Sequence, residues 1–292
     1  MSPTRPRRLV VVAGTATEIG KTWVSAALSA RLVDDAWAVE ARKPAQSGGP
    51  GDASDADLLA AATGEDPMVV CPSHRRYSVP MAPPMAAEAL GLVAPTIAEL
   101  ADEVTRSWGA RAADVGLVEL AGGVASPAAA DGDGADLAAA LAPDIVLLVA
   151  DAGLGTINSV RLSIDRLRSA APESAAPESG MSGSAVLVPP PIVVFLNRFD
   201  ANDDLHLRNA AWLRDRDGFT VVTDLGLLAA EVLAMAPPHC GYCGKPTTEC
   251  ARECVRPLDP DHFCVRCGRR LVVSVSPMRH SARCKVHGTH CA

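Results

Sequence analysis

Leu9-Val-Val-Val-Ala13 runs straight into Gly14-Thr-Ala-Thr-Glu-Ile-Gly-Lys-Thr22, and Trp23-Val-Ser-Ala-Ala-Leu-Ser-Ala-Arg-Leu32 follows. The first stretch is continuously aliphatic rather than alternating, the pattern of a strand buried on both faces of a parallel sheet. The last is rich in helix formers and holds neither proline nor glycine. Strand, glycine loop and helix in that order leave unpaired helix N–H groups facing the loop, where the positive end of the helix dipole favours an anion. Lys21 then reaches β- and γ-phosphates, and the Thr22 hydroxyl ligates Mg²⁺. Five residues, Thr15 to Ile19, separate the glycines, one more than the usual spacing. A tight strand-to-helix turn is the bland reading; the Gly-Lys-Thr ending favours binding of a nucleoside triphosphate.

Further short apolar runs extend the pattern: Val115–Leu120, Asp144–Asp151, Ile192–Asn197 and Thr220–Thr223, with helical stretches between them. Alternation of this kind predicts an α/β fold, a mostly parallel P-loop-type sheet with helices on both faces. Ligands of such folds sit at the carboxyl ends of the strands, which here carry polar residues. Residues 169–191 interrupt the pattern with a near-repeated Ala-Ala-Pro-Glu-Ser and a Gly/Ser cluster, and predict a flexible surface insert. Composition changes again after Pro237-Pro238. The chain therefore divides into an ATP-binding domain, 1–236, and a cysteine-rich domain, 237–292.

Charge divides it at the same place. Pro237 onward holds nine Lys/Arg and four Asp/Glu, against 18 and 30 before it, within a net charge of −7. An acidic body argues against nucleic-acid binding. No run of about 18 apolar residues predicts a membrane span. The short apolar segment after Arg5-Pro-Arg-Arg8 belongs to the phosphate-loop strand, so a cytoplasmic location is expected.

Around the loop stand Arg42-Lys-Pro-Ala-Gln-Ser-Gly48, Asp52-Ala-Ser-Asp-Ala-Asp57, Val118-Glu-Leu-Ala-Gly-Gly123 and Asn197. With Gly14–Thr22, this series resembles the dethiobiotin synthetase family, over roughly Val10 to Leu228. That resemblance implies an ATP- and Mg²⁺-dependent ring closure, in which CO₂ and one amine of 7,8-diaminononanoate form a carbamate that ATP phosphorylates. The second amine then closes the ureido ring. Carbamate and triphosphate are both anionic, so positioning and charge neutralisation dominate catalysis. The resemblance assigns Lys21 and Lys43 to the transferring phosphoryl group. It assigns Gly14, Thr17, Glu18, Ile19, Gly20, Lys21, Thr22, Glu119 and Gly122 to the nucleotide, with Asn197 on the adenine edge. Thr22, Asp55 and Glu119 match Mg²⁺ positions, oxygen ligands suited to a hard ion. Thr17 and Ser47 match substrate contacts. Gly153, Leu154 and Asn158 match a segment that, in the family's homodimer, holds the substrate carboxylate from the neighbouring subunit. Which of Asp52, Asp55 and Asp57 faces Mg²⁺ stays open. Cys71 and His74 lack partners at ligand spacing and read as ordinary structural residues.

Two positions depart from the family pattern. Leu120 stands where the family has glycine, an exchange expected to crowd the nucleotide or shift the backbone. Ala16 replaces a frequently acidic residue.

Eight of nine cysteines lie between Cys240 and Cys291, a density that in a reducing compartment points to metal. Cys264-x₂-Cys267 and Cys284-x₂-His287 form a four-ligand signature, with Leu271–Ser276 as a connecting strand. Cys240, Cys243, Cys250 and Cys254 either make a second site or complete a single cluster; Cys291 is unassigned. A segment this short with few large apolar side chains needs a staple, and structural Zn²⁺ supplies about 10–16 kcal/mol at neutral pH. Thiolates equally hold iron–sulfur clusters. His262–Pro277 and Ala282–Gly288 resemble the actinobacterial biotin synthase auxiliary protein, which implies an iron–sulfur cluster and biotin synthase as a partner. The competing reading is a nucleotide-switch ATPase of regulatory or partitioning type, carrying a zinc ribbon as an interaction module.

Overall fold

The computed structural model describes residues 5–49, 54–109, 113–170, 190–234, 239–245, 250, 254, 261–265, 268–276, 279–285 and 288–290. In chain order the first half comprises β1 (Arg8–Gly14), α1 (Lys21–Asp34), β2 (Val39–Arg42), β3 (Gln46–Ser47), α2 (Asp55–Thr63), α3 (Pro67–Val70), β4 (Arg76–Tyr77), α4 (Pro83–Ala89) and α5 (Ile97–Ser107). Then follow β5 (Val115–Glu119), β6 (Pro127–Ala129), β7 (Gly132–Asp133), α6 (Gly134–Leu141), β8 (Ile145–Asp151), α7 (Thr156–Ala170), β9 (Ile192–Asn197), α8 (Asp204–Asp215), β10 (Thr220–Val222) and α9 (Leu225–Ala234). The tail adds β11 (Val272–Ser276), β12 (Arg279–Cys284) and β13 (Gly288–His290).

Six strands form one sheet in the order β10-β9-β8-β1-β5-β2, every pair parallel. β1 lies between β5 and β8: the chain first lays β2 at one edge, returns to fill the gap with β5, and then builds β8, β9 and β10 on the other side. Such a switch point opens a crevice at the strands' carboxyl ends, and the Gly14–Thr22 loop leaves β1 into it. The aliphatic runs predicted as strands are these strands. β2 was not legible as one, since Val39-Glu-Ala-Arg42 is four residues with two charges.

Side chains along β1 alternate between two cores, as a period of two requires. Leu9, Val11 and Ala13 pack with residues of α5, α6, α7 and α8, among them Leu100, Leu137, Ile164 and Leu213. Val10 and Val12 pack on the opposite face with Val24, Leu28 and Leu32 of α1 and Leu228 of α9. The same alternation separates Glu119, the last residue of β5, from Leu120 just past it. Glu119 faces α1, whereas Leu120, only 2% exposed, turns into the core on the other face. The expected crowding by Leu120 is therefore not what the structure shows: its side chain points away from the phosphate loop.

In the tail, β11, β12 and β13 form an antiparallel sheet, over a small core of Cys264, Leu271, Ala282 and Cys284. The predicted strand Leu271–Ser276 is β11, one residue shorter. The predicted insert at 169–191 lies outside the described residues, apart from its ends. No helix among the described residues is long and apolar enough to cross a membrane.

Candidate active site at the phosphate loop

The loop is shaped by two residues in left-handed conformation, Glu18 (φ 61°) and Gly20 (φ 89°). Gly20 precedes α1 and admits no Cβ, which would collide with the Asn197 amide. α2, α5, α6 and α8 start on side-chain caps from Ser54, Thr96, Asp133 and Asp203. α1 starts with none. Its first-turn N–H groups are left for an anion in the loop.

Four side chains from four segments meet at the start of α1. Thr22 Oγ1 lies 2.8 Å from both Asp55 Oδ1 and Glu119 Oε1. Lys43 Nζ lies 2.7 Å from Asp55 Oδ2 and 2.6 Å from Glu119 Oε1. Glu119 is 1% exposed and Lys43 3%. Among the described residues, Glu119 Oε2 is buried with no hydrogen-bond partner. Burial pulls the Lys43 ammonium down, but Glu119 and Asp55 outweigh it and hold its pKa above the ordinary value. Burial likewise pushes Asp55 up, and Lys43 more than reverses this.

β2 positions Lys43 through a clamp one residue earlier. The Arg42 guanidinium bonds Glu65 Oε1 at 2.6 Å and Glu40 Oε2 at 2.8 Å, and lies 4.5 Å from the Trp108 ring centroid. Lys43, one residue past β2, is left aimed at Asp55 and Glu119. The three aspartates differ in what the structure describes of them. Asp55 contacts the cluster, Asp57 pairs with Arg76 at 3.7 Å, and Asp52 lies outside the described residues.

Lys21 arches back over the loop and donates to the Ala16 carbonyl at 3.0 Å. Burial, then repulsion from Lys43, lowers its pKa to about 8 against partial support from Glu119 and Asp55. A second cationic site thus faces the same space.

The crevice continues past the loop into a cavity of about 630 Å³, lined by Gly20, Trp23, Asn197, Arg198, Thr223 and Asp224 among others. That volume suits a nucleobase and its sugar. Asn197, 6% exposed, donates Nδ2 to the Ile19 carbonyl at 2.8 Å and so ties β9 to the loop. Arg198 donates to the Glu18 carbonyl at 2.9 Å. Trp23, Arg198, Thr223 and Asp224 were not singled out in sequence. Their one signal is position, directly after the loop threonine or just past strands β9 and β10.

Other sequence-predicted residues stand apart from the four-residue cluster. Ser47 donates its hydroxyl to the Met81 carbonyl at 2.5 Å. Thr17, Leu154 and Asn158 are exposed, Leu154 at 93%. Gly122 adopts φ 67°, and the Gly123 N–H donates to Ser126 Oγ at 2.9 Å. Cys71 is buried, its thiol pushed up to about 11 by that burial. His74 lies 3.4 Å from Glu103 at the surface.

In the tail, Cys240, Cys243, Cys250 and Cys254 converge, all four Sγ atoms within 4.8 Å of one another. Cys264 and Cys284 share the small buried core. Their predicted co-ligands Cys267 and His287, and the unassigned Cys291, lie outside the described residues.

A parallel sheet with a glycine loop at its switch point, an uncapped helix behind it and convergent Lys, Thr and carboxylate side chains defines a P-loop nucleotide-binding protein. Residues 8–176 match the AAA_26 family, an AAA domain. More narrowly, the chain belongs to the dethiobiotin synthetase family. It is 42% identical over 164 residues to the ATP-dependent dethiobiotin synthetase BioD of Anaeromyxobacter sp. (strain Fw109-5), covering 55% of this chain and 71% of that protein. Against the protein of that name from Rhodococcus erythropolis it is 39% identical over 176 residues, 57% of this chain and 72% of the relative. Against that of Parafrankia sp. it is 41% identical over 163 residues, covering 54% of this chain and 64% of the relative, so the matched part spans just under two thirds of that protein.

Proposed function

We propose that the phosphate-loop domain catalyses ATP- and Mg²⁺-dependent closure of 7,8-diaminononanoate and CO₂ to dethiobiotin, through a carbamate phosphorylated by ATP. The observation that carries this reading is the convergence of Lys43, Thr22, Asp55 and Glu119 at the start of α1. A switch ATPase needs the loop and its Mg²⁺ site but not a second buried lysine delivered from β2.

Thr22, Asp55 and Glu119 are fitted to hold Mg²⁺. All are oxygen donors, and the unpartnered Oε2 of Glu119 is the buried acceptor that such an ion or its water satisfies. When bound, Mg²⁺ neutralises charge on the β- and γ-phosphates. Lys21 binds the terminal phosphates and withdraws from Ala16 to do so. Lys43, released from the carboxylates, turns its ammonium to the carbamate and the transferring phosphoryl oxygens. Asn197 accepts from the adenine amine while its Nδ2 holds the loop. Thr17 and Ser47 orient the diamine, and Gly153, Leu154 and Asn158 serve its carboxylate across a homodimer. The exposure of Leu154 is in keeping with burial against a second subunit. The tail acts on biotin synthase, the consumer of dethiobiotin; the resemblance of residues 262–288 to the auxiliary protein supports this.

Purified chain with ATP, Mg²⁺ and bicarbonate releases phosphate only when the diamine is added. Diamine-independent release overturns the ring-closure reading in favour of a switch ATPase.

A further inference from the structure

The tail's four-cysteine set carries an inference independent of ring closure. Its nearest sulfur–sulfur separations are 3.5 Å for Cys240–Cys254, 3.6 Å for Cys243–Cys250 and 3.4 Å for Cys250–Cys254. Thiolates around one Zn²⁺ at about 2.3 Å occupy a tetrahedron with edges of roughly 3.8 Å. All four sulfurs lie within 4.8 Å of one another, so they fit around a single ion. A four-iron cluster instead sets a separate iron beneath each thiolate, which spreads the sulfurs to on the order of 6 Å. A two-iron cluster imposes a similar spread between its two thiolate pairs. An iron–sulfur cluster therefore does not fit these four cysteines.

The backbone points the same way. Cys240-Gly-Tyr-Cys243 closes on Gly244, which adopts φ 72° and donates its N–H to the Cys240 carbonyl at 2.8 Å. The turn from Cys264 repeats this form: Gly268 adopts φ 66° and donates to the Cys264 carbonyl at 2.7 Å. The two turns abut, since a Cβ at Gly244 would press on the Gly268 carbonyl at 2.9 Å, and one at Gly268 on the Gly244 carbonyl at 2.7 Å. Cys264 and Cys284 belong to the tail's small apolar core, whereas the four converging cysteines are not part of it.

We infer that Cys240, Cys243, Cys250 and Cys254 bind one mononuclear Zn²⁺ in a closed, four-thiolate structural site. With four protein ligands no position remains for water or substrate, so the ion serves folding rather than catalysis. Four soft thiolates in tetrahedral array select zinc among the common divalent ions. Zinc here ties the Cys240–Gly244 turn to Cys250 and Cys254, and Gly244 of that turn lies against Gly268.

The test uses the full chain, purified without chelator, with zinc, iron and labile sulfide counted per chain and X-ray absorption recorded at the metal edge. Expected is zinc with a sulfur shell near 2.3 Å and no metal–metal shell. Cys250→Ser loses one zinc equivalent while ATP binding is kept. The inference is overturned by iron with labile sulfide that Cys250→Ser removes, by mononuclear iron, or by a disulfide among the four. It is equally overturned by zinc content that Cys250→Ser leaves unchanged, or by failure of the chain to take up added zinc. Should Cys250→Ser prove insoluble, the metal–metal shell of the unsubstituted chain still decides between one ion and a cluster.

Discussion

Lys43→Met isolates the function of the buried ammonium, because methionine matches the side chain up to Cε and removes the charged nitrogen. Lys43 sits 2.6 Å from Glu119 and 2.7 Å from Asp55. Removing one partner of a buried ion pair costs about 3–5 kcal/mol. Asp55 is 34% exposed, so water screens its share and the low end, about 3 kcal/mol, is the working figure. At roughly 2–4 °C per kcal/mol for a domain of this size, the melting temperature in EDTA falls by about 6–12 °C. Mg²⁺ with ATP gives the stranded carboxylates a cation, so the deficit narrows when both are present. Turnover falls by about 10²–10³, the scale for removal of one preorganised charge from a transition state, while ATP affinity changes only a few-fold. Thermal scans with and without Mg·ATP, beside steady-state kinetics, measure all three. A melting temperature within a degree of the parent in EDTA refutes the structural reasoning. Unchanged turnover refutes the assignment of Lys43 to the phosphoryl group.

Lys21 predicts a pH dependence. Its pKa in the folded protein, about 8, is below the ordinary 10.5. Between those values the unfolded chain binds more protons, so the apo protein gains stability from this group as pH rises from about 8 to 10.5. Phosphate binding needs the ammonium, so affinity of the free protein for ATP, measured by calorimetry, weakens as pH rises through about 8. Lys43→Met moves that midpoint upward, because Lys43 repulsion is the second cause of the shift after burial; an unmoved midpoint contradicts the coupling. Leu120→Gly restores the residue of the family pattern yet empties a core site. It costs about 2–5 kcal/mol of stability and leaves the KM for ATP unchanged, whereas a gain in ATP affinity with no loss of stability shows that Leu120 does crowd the nucleotide.

The fold's centre was legible because physics there is local. An unbroken aliphatic strand, a glycine loop and an alanine-rich helix each announce themselves within a dozen residues. β2 was hidden by its length and by Glu40 and Arg42, whose charges make sense only once Glu65, Ser107 and Trp108 arrive from elsewhere. Leu120 misled because a departure from a motif says nothing about which face the residue takes. Strand alternation decides that, and it turns Glu119 toward α1 and Leu120 away. Asp55 separates from Asp57 only by the position of α2 against α1. The cavity residues Arg198 and Asp224 meet through strand order, which spacing along the chain does not encode. In the tail, Cys-x₂-Cys and Cys-x₃-Cys spacing marked Cys240, Cys243, Cys250 and Cys254 as candidates, but how closely their sulfurs converge is visible only in three dimensions.

The central claim is that this site makes a carbamate into a ring at the expense of ATP. Carbon-13 bicarbonate supplied with the diamine, ATP and Mg²⁺, followed by mass spectrometry of the product, tests it most directly. The account predicts dethiobiotin carrying one carbon-13, formed in proportion to phosphate released and lost in Lys43→Met. Phosphate release without labelled product, or with the diamine recovered unchanged, contradicts it.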